Sequence, residues 1–253
     1  MADLALVDAN VLLGRHPRTP ARADTAADLL AWLDRVGIAE ALVGHTASWL
    51  HDPAAGNQQV TELLAATPDR LHACWVVLPG GTGELGSPSE LVTTAHAAGV
   101  AATRAYPTDH GWSLTAPDAT PLLRSLVAAG LPLLVDAEQT SWTDIAACAT
   151  AHPRLRLVVC GTGYRALRRI AGVLADNDNV WIETSTLATH QALEWLAGRF
   201  GAQRLVFGSG ATLRDPAEAV TRLLLSELDD GAVRAVGGGN LRELLARPGV
   251  RVS

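Results

Sequence analysis

The sequence predicts a single-domain α/β protein built as a (β/α)8 barrel, the TIM-barrel fold. The chain has 253 residues, a length that suits one such barrel. Short apolar runs alternate with longer amphipathic segments about eight times along it. No stretch rich in Pro, Gly or Ser divides the chain, so residues 1–253 are expected to form one domain.

Eight short runs are predicted to be the strands. Most of them are apolar throughout and rich in β-branched residues, rather than alternating between apolar and polar. This pattern is typical of parallel strands that are covered on both faces. The predicted strands are residues 4–10, 39–45, 71–78, 101–107, 132–137, 155–161, 180–184 and 204–210.

The segments between these runs are predicted to be helices. Gly37, Gly99, Gly130 and Gly201 each close such a segment, where a helix commonly ends in a left-handed residue. The predicted helices are residues 24–37, 57–67, 87–99, 120–130, 142–152, 164–177, 189–201 and 216–228, with a last one at 240–246.

An open, doubly wound sheet is the competing architecture. Such a sheet usually carries a glycine-rich phosphate turn after its first strand, but residues 8–14 read DANVLLG and do not match G-x-G-x-x-G. This mismatch also disfavours an oxidoreductase with a dinucleotide cofactor. The repeated alternation therefore favours the closed barrel, in which function lies at the carboxyl ends of the strands.

Composition excludes several classes of protein. The formal net charge is −6 and no basic cluster is interleaved with aromatics, so nucleic acid is not an expected partner. No apolar run is long enough to span a membrane, and the N-terminus lacks the basic region of a signal peptide, so a cytoplasmic location is expected. Cys74, Cys148 and Cys160 are widely spaced and are expected to be reduced.

The carboxyl ends of the predicted strands carry a distinctive series of residues. In chain order they are Asp8 with Asn10, His45, Pro79, Arg104 with Tyr106, Asp136, Gly161, Glu183, and Ser209 with Gly210. Together with the phrases VDANVLLG, GLPLLVDA, NVWIETS, RLVFGSG and GGGNLRELL, this series resembles the amidohydrolase-related family (amidohydrolase 2 type) of metal-dependent hydrolases. The resemblance covers essentially the whole chain and implies the same barrel fold.

The resemblance also implies a divalent metal that activates water, held by His residues of the first, fifth and sixth strands and by an Asp of the eighth. The corresponding positions here hold Asp8 and Asn10, Asp136, Gly161 and Gly210. Because catalytic zinc needs about three ligands and prefers His nitrogen, we expect a degenerate metal site, with no cofactor and with zinc disfavoured. The open alternative is a hard cation (Mg²⁺, Mn²⁺ or Ca²⁺) held by Asp8, Asn10 and Asp136.

Five side chains at the strand ends are the candidate catalytic residues: His45, Arg104, Tyr106, Asp136 and Glu183. His45 could be an acid or base, or a structural histidine. Arg104 and Tyr106 alternate along the fourth strand, so both face the same side. Because a buried arginine needs a partner, Arg104 is expected either to clamp a substrate carboxylate or to pair with Asp136. Glu183 could carry a proton or accept backbone amides.

Aromatic residues in the βα loops are the candidate substrate-binding residues: Trp49, His110, Trp112 and Trp142. Aromatic walls around a few polar groups suit a small-molecule pocket, although the same tryptophans could instead fill loop cores. The loop that contains WLHDPAAGN after the second strand is long for a βα connection, which predicts a lid over the barrel mouth.

Two functions fit these observations. The first is an enzyme that hydrolyses or decarboxylates a small carbonyl or carboxylate substrate, as the resemblance implies. The second is a catalytically silent pseudo-hydrolase that binds a small ligand or supports a partner hydrolase subunit, which the missing metal ligands favour. The opening loop at residues 15–25 is the segment that could reach a neighbouring chain, so a homo-oligomer is also considered.

Overall fold

The computed structural model describes residues 4–17, 23–67 and 69–246, so part of the opening loop and both ends of the predicted domain lie outside the described residues. Eight parallel strands lie side by side in chain order and form a single-domain (β/α)8 barrel, as predicted. The strands are β1 (Leu6–Leu13), β2 (Ile38–His45), β3 (Leu71–Val76), β4 (Ala102–Ala105), β5 (Leu133–Asp136), β6 (Leu157–Cys160), β7 (Val180–Glu183) and β8 (Leu205–Val206).

Backbone hydrogen bonds between β1 and the segment around β8 close the barrel. The amide of Ala9 donates to the carbonyl of Phe207 at 2.9 Å, and the amide of Leu12 donates to the carbonyl of Ala211 at 2.7 Å. Val11 and Ala211 also form a parallel bridge. Because β8 is only two residues long, these contacts join the two edges of the sheet and leave no long edge exposed.

The helices of the described residues connect the strands, as the amphipathic segments predict. They are α1 (Ala26–Val36), α2 (Thr46–Leu50), α3 (Pro53–Leu64), α4 (Pro88–Ala97), α5 (Thr120–Ala129), α6 (Trp142–Ala151), α7 (Leu167–Asp176), α8 (Ala192–Phe200), α9 (Pro216–Leu224), α10 (Asp230–Arg234) and α11 (Asn240–Leu245). Thr25 caps the start of α1 with its side chain, and Gly37 ends that helix in the left-handed conformation. The short helices α2 and α10 were not expected.

Strand β1 ends later than the sequence predicts, and its register against β2 is irregular. The sequence predicts residues 4–10, whereas the strand runs over Leu6–Leu13. Its register against β2 shifts between Asp8 and Val11. Such an irregularity bends a strand and redirects its side chains. Asp8 and Asn10 therefore lie inside the strand rather than at its end.

Apolar side chains pack on both faces of the sheet. The outer layer, between strands and helices, contains large residues such as Leu33 and Leu122. The inner layer fills the barrel and includes the small residues Ala9 and Ala102 together with Cys160. Burial of both faces explains why the strands read as continuous apolar runs.

The last helix closes the amino-terminal end of the barrel. Leu241 and Leu244 of α11 belong to the inner apolar layer. The side-chain amide of Asn240 donates to the carbonyls of Ala202 and Leu205 at 2.8 and 2.7 Å, which fixes α11 beside the start of β8. The opposite end, where such barrels place their ligand sites, stays open.

Two expectations from composition can be checked in the structure. Cys74, Cys148 and Cys160 are buried free thiols, as expected. Among the described residues, no helix combines the length and the apolar character that a membrane span requires.

Candidate functional site

The open end of the barrel carries charged side chains that strand alternation directs inward. Ala102 of β4 and Leu134 of β5 belong to the inner apolar layer. Because side chains alternate between faces, Arg104 and Asp136, two residues further along, also point into the barrel. Glu183 occupies the equivalent place at the end of β7.

Arg104 is the centre of this group. Its Nη2 atom donates to both carboxylate oxygens of Asp136 at 2.7 Å, and its Nη1 atom donates to the amide oxygen of Asn10 at 2.7 Å. The Arg104 side chain is only 6% exposed. Burial alone would lower the pKa of Arg104, but the adjacent Asp136 carboxylate reverses this effect and raises the pKa above its usual value. The expected pairing of Arg104 with Asp136 is thus confirmed.

Asn10 connects Arg104 to Glu183. Its amide oxygen accepts from Arg104, while its amide nitrogen donates to Oε2 of Glu183 at 3.0 Å. Asp136, Arg104, Asn10 and Glu183 therefore form one continuous series of contacts across the barrel, which we call the polar chain. An amide suits the middle position because it donates and accepts at the same time.

Glu183 is fully buried at the end of the polar chain. Besides Asn10, it accepts from the Ser185 hydroxyl at 2.8 Å, from the Ser185 amide, and from the Gly161 amide at 3.4 Å. Burial raises the pKa of Glu183, and these hydrogen bonds offset part of the rise. Glu183 therefore holds Asn10 in place from below and does not itself line the cavity described next.

Asp8 stands apart from the polar chain. Its carboxylate accepts from the Asn10 amide and the Ser209 amide, both at 2.9 Å, and from the Ser209 hydroxyl. Burial raises its pKa to about 7, although the contacts with Ser209 lower it. Asp8 therefore ties β1 to the end of β8, whereas Asn10 and Asp136 share Arg104, so the oxygen set of Asp8, Asn10 and Asp136 left open as the alternative does not meet at one point.

A cavity of about 170 Å³ opens above the polar chain. It lies at the carboxyl ends of the strands, where the architecture predicts a ligand site. Its wall is partly polar and partly apolar, which suits a small molecule with both kinds of group. The polar side chains of its wall include Asn10, Arg104, Asp136, Gln139, Ser185 and Arg214.

Arg214 is a cation on the rim of this cavity that the sequence reading missed. Within the described ranges, no ion pair involves its guanidinium. Gly210 has φ +72°, and a Cβ added there would lie 3.0 Å from Cδ of Arg214. Glycine at that position therefore leaves room for the Arg214 stem. The available signal was an arginine four residues after a glycine, in the loop after β8.

Trp49 covers one side of the cavity. Its ring stacks on Tyr106 with centroids 4.7 Å apart and an interplanar angle of 7°. Its indole nitrogen donates to Asp109 at 2.6 Å, and Gln139 donates to the same carboxylate oxygen at 2.7 Å. His110 contacts the Trp49 carbonyl at 2.8 Å. The long loop predicted over residues 49–57 is mostly helical, because it contains the end of α2 and the start of α3. The part that covers the cavity is Trp49 of α2, the lid helix, which is held against the loops after β4 and β5.

Tyr106 lies buried beneath Trp49 and beside Arg104. The guanidinium carbon of Arg104 is 5.3 Å from the Tyr106 ring centroid, within the range of a cation–π contact. Burial raises the pKa of the Tyr106 hydroxyl well above its usual value. Tyr106 therefore stays a neutral phenol that supports the lid and the guanidinium, and it does not line the cavity.

Four other candidates lie away from the cavity. His45 caps α2, because its Nδ1 accepts from the amide of Ala47 at 3.1 Å, and burial lowers its pKa. His110 and Trp112 line a neighbouring groove on the far side of the lid. Trp142 begins α6 and packs against the outer apolar layer. Of the four predicted substrate-binding residues, Trp49 alone is in the cavity wall.

The donor atoms at the barrel mouth suit a hard cation better than zinc. The described residues contain no group of three or more His, Cys, Asp or Glu side chains placed to hold a metal. The polar chain nevertheless contains the amide oxygen of Asn10 and the carboxylates of Asp136 and Glu183, which are donor types preferred by Mn²⁺, Mg²⁺ and Ca²⁺. Arg104 binds two of these residues, so their oxygen atoms become available only when the guanidinium moves.

Comparison with known proteins gives one family and many similar folds. A family model described as amidohydrolase matches residues 10–247. No curated protein matches the chain. One similar solved structure is 5-carboxyvanillate decarboxylase from Sphingomonas paucimobilis, with 16% identity, a TM-score of 0.76, and coverage of 96% of this chain and 99% of that one.

Two further structures extend the range of similar enzymes. The 5-carboxyvanillate decarboxylase from Novosphingobium aromaticivorans, complexed with manganese, has 13% identity, a TM-score of 0.77 and coverage of 95% and 96%. The probable 2-pyrone-4,6-dicarboxylic acid hydrolase from Acinetobacter baumannii has 16% identity, a TM-score of 0.69 and coverage of 95% and 98%. At these identities the likeness establishes the fold.

The expectation of a site without a cofactor is contradicted by these structures. The decarboxylase from Novosphingobium contains manganese, as do other similar decarboxylase structures. The count of His ligands that zinc prefers led to that expectation, whereas the hard cation left open as the alternative is the kind of ion that these structures contain. The alternative of a silent pseudo-hydrolase also finds no support, since the similar structures are decarboxylases and a hydrolase.

Proposed function

Because the chain belongs to the amidohydrolase family, we propose that it is an enzyme that decarboxylates a small carboxylate in the cavity above the polar chain. One observation carries this proposal. The cavity wall contains Arg214, a cation without an ion-pair partner in the described part of the chain, in addition to the paired Arg104. A carboxylate ligand supplies the matching negative charge and accepts from the guanidinium through both oxygens.

Trp49 supports an aromatic substrate. The exposed part of its ring forms one side of the cavity, and Leu12 and Leu213 add apolar wall. A flat ring would pack against this surface while its carboxylate faces Arg214. The similar structures include decarboxylases whose names give single-ring aromatic acids, which agrees with this substrate class.

A divalent cation, manganese in the first instance, is the proposed cofactor. Asn10 and Asp136 are the residues that would hold it, because they offer an amide oxygen and a carboxylate in the cavity wall. When bound there, the cation would polarise a substrate oxygen as a Lewis acid.

The remaining candidates act as positioning residues in this proposal. Tyr106 supports both Trp49 and Arg104 from below, and His45 fixes the start of the lid helix. Glu183 orients the Asn10 amide. Because none of these three side chains lines the cavity, their removal is expected to act through the residues that they hold.

Hydrolysis of a small lactone is the second candidate function. The observation that favours it is Glu138, a carboxylate in the cavity wall, since a carboxylate is a type of group that can act as a general base towards water. The similar hydrolase from Acinetobacter is named for a pyrone dicarboxylate, a lactone that also carries carboxylates. Arg214 would bind a carboxylate in either reaction.

A substrate panel tests these proposals. The purified protein is supplied with Mn²⁺ and incubated with 5-carboxyvanillate, 2,6-dihydroxybenzoate or 2-pyrone-4,6-dicarboxylate, while released CO₂ and ring opening are recorded. We expect CO₂ from at least one aromatic acid. Arg214→Leu should reduce kcat/KM at least about tenfold, because the variant loses one charge-assisted hydrogen bond to the substrate carboxylate.

Arg168→Leu is the matched control, because Arg168 is an exposed arginine of α7 outside the cavity. Ring opening without CO₂ release would favour the hydrolase. Equal activity of the Arg214→Leu variant and the wild type would contradict the proposed role of Arg214, and the absence of both reactions would contradict the proposed function.

A further inference from the structure

The large apolar side chains that the barrel exposes lie in one sector of its helical layer. Among the described residues, three such side chains are exposed: Tyr164 at 61%, Trp195 at 46% and Leu225 at 79%. Tyr164 precedes α7, Trp195 belongs to α8 and Leu225 follows α9. Single exposed apolar residues are ordinary, but a group of them on neighbouring elements is typical of a surface that another molecule covers.

These side chains line two grooves, one on each side of α8. The aromatic groove, between α7 and α8, is lined by residues that include Tyr164, Arg165, Arg168 and Trp195. The acidic groove, between α8 and α9, is lined by residues that include Glu194, Glu218, Leu225 and Glu227. Thr189 lines both grooves, so they form one continuous surface.

The two grooves lie at the same height along α8. Glu194 and Trp195 are consecutive residues of this helix. Glu194 accepts from the backbone amide of Glu227 at 2.9 Å on the acidic side, whereas Trp195 forms part of the aromatic groove. The helix α8 therefore lies as a central ridge between an aromatic side and an acidic side.

The two sides of this ridge carry opposite charges. Arg165 is exposed in the aromatic groove, and Glu227 is exposed in the acidic groove. In the part of the chain that the structure describes, no ion pair involves either side chain. A surface with a cation on one side of a helix and an anion on the other is complementary to itself after a two-fold rotation about that helix.

We propose that this surface is the interface of a two-fold symmetric homodimer, in which Leu225 of each copy enters the aromatic groove of the other copy. Glu227 of each copy then faces Arg165 of the other, so the dimer contains this contact twice. Tyr164 and Trp195 are of the residue types that contribute most to binding at such interfaces. Neither groove shares a residue with the cavity at the barrel mouth, so this inference is independent of the proposed reaction.

Sedimentation equilibrium of the purified protein tests the dimer. We expect the wild type to have the mass of two chains at micromolar concentration. Arg165→Glu and Glu227→Arg each place like charges opposite one another at two points, so each should raise the Kd of the dimer at least about tenfold. Leu225→Asp should raise the Kd by at least the same factor, because it removes the apolar side chain that enters the groove.

Arg124→Glu is the matched control for the charge reversals. Arg124 is an exposed arginine of α5 that lies outside both grooves, so its reversal should change the Kd of the dimer less than about threefold.

An equimolar mixture of the Arg165→Glu and Glu227→Arg variants gives the sharpest result. In the mixed dimer both contacts join opposite charges, so mixing should restore dimerisation to within about threefold of the wild type. Restored dimerisation would also show that both variants fold. A monomeric wild type, a dimer that none of the three groove substitutions weakens, or a mixture that stays monomeric would each overturn the proposed interface.

Discussion

At the scale of single residues, the stability of the barrel mouth depends on the pairing of two buried charges, Arg104 and Asp136. Arg104 and Asp136 neutralise each other, and Asn10 satisfies a further donor of the guanidinium. Removing one partner of such a pair is costly because the other charge stays buried, whereas removing both is much less so.

We predict that Asp136→Leu lowers the free energy of unfolding by about 3–5 kcal/mol, because it leaves Arg104 buried without a carboxylate. The double variant Arg104→Leu/Asp136→Leu should regain part of this loss. Urea denaturation of metal-free protein measures both. For comparison, Arg234→Leu breaks a pair in which both side chains are exposed and should cost less than about 1 kcal/mol. Additive effects of the two central substitutions would contradict a direct interaction.

Asp8 gives a prediction about pH. Burial raises its pKa to about 7, against about 4 in the unfolded chain. The folded state therefore holds a proton that the unfolded state releases, and this contribution to stability is lost as the pH rises from about 4 to about 7. Each unit of difference between the pKa values of the folded and unfolded states corresponds to about 1.4 kcal/mol in the free energy of unfolding.

Asp8→Asn should reduce this slope, so that unfolding midpoints at pH 5 and pH 7.5 differ less than in the wild type, and the buried Glu183 carboxyl, whose pKa is also raised, accounts for part of the remainder. Chelator is present in all samples so that metal does not contribute. Glu84→Gln, which alters an exposed carboxylate, should leave the slope as it is. A slope as large in Asp8→Asn as in the wild type would contradict the role of Asp8.

At the scale of elements, Trp49 makes several of the side-chain contacts that attach α2 to the loops of the barrel mouth. Trp49 stacks on Tyr106, donates to Asp109 and offers its carbonyl to His110. The helix has only five residues, too few to be stable alone. Its order therefore depends on these contacts.

We predict that Trp49→Ala increases amide hydrogen exchange over residues 46–53 while the strands stay protected, because only the local opening energy falls. The loss of the stacked pair and its hydrogen bond should cost about 1–3 kcal/mol locally. Trp195→Ala removes a partly exposed tryptophan of α8 and is the matched control. Unchanged exchange in α2 would mean that other contacts hold it.

At the scale of the whole molecule, alternation alone predicts the barrel and most strand positions. It also predicts the Arg104–Asp136 pair, since both residues follow inward-facing neighbours on adjacent strands. It could not place Asp8, because the register shift in β1 turns its carboxylate towards Ser209 and leaves no mark in the sequence.

The loops account for the other differences. Arg214 lies in a loop whose course no periodicity describes, and its role depends on the space that Gly210 leaves. Trp112 and Trp142 were grouped with Trp49 because all follow strand ends, but the direction of each loop separates them. The expectation of no cofactor gave the His count of a zinc site more weight than the oxygen donors of a hard cation, and the manganese in similar structures contradicts it.

The most direct measurement is calorimetric titration of 2,6-dihydroxybenzoate into the Mn²⁺-supplied wild type and the Arg214→Leu variant. A carboxylate-binding barrel mouth predicts saturable binding to the wild type and affinity at least about tenfold weaker in the variant. Equal affinity in the two proteins, or no binding to the wild type by any acid of the panel, would contradict a carboxylate site at this end of the barrel.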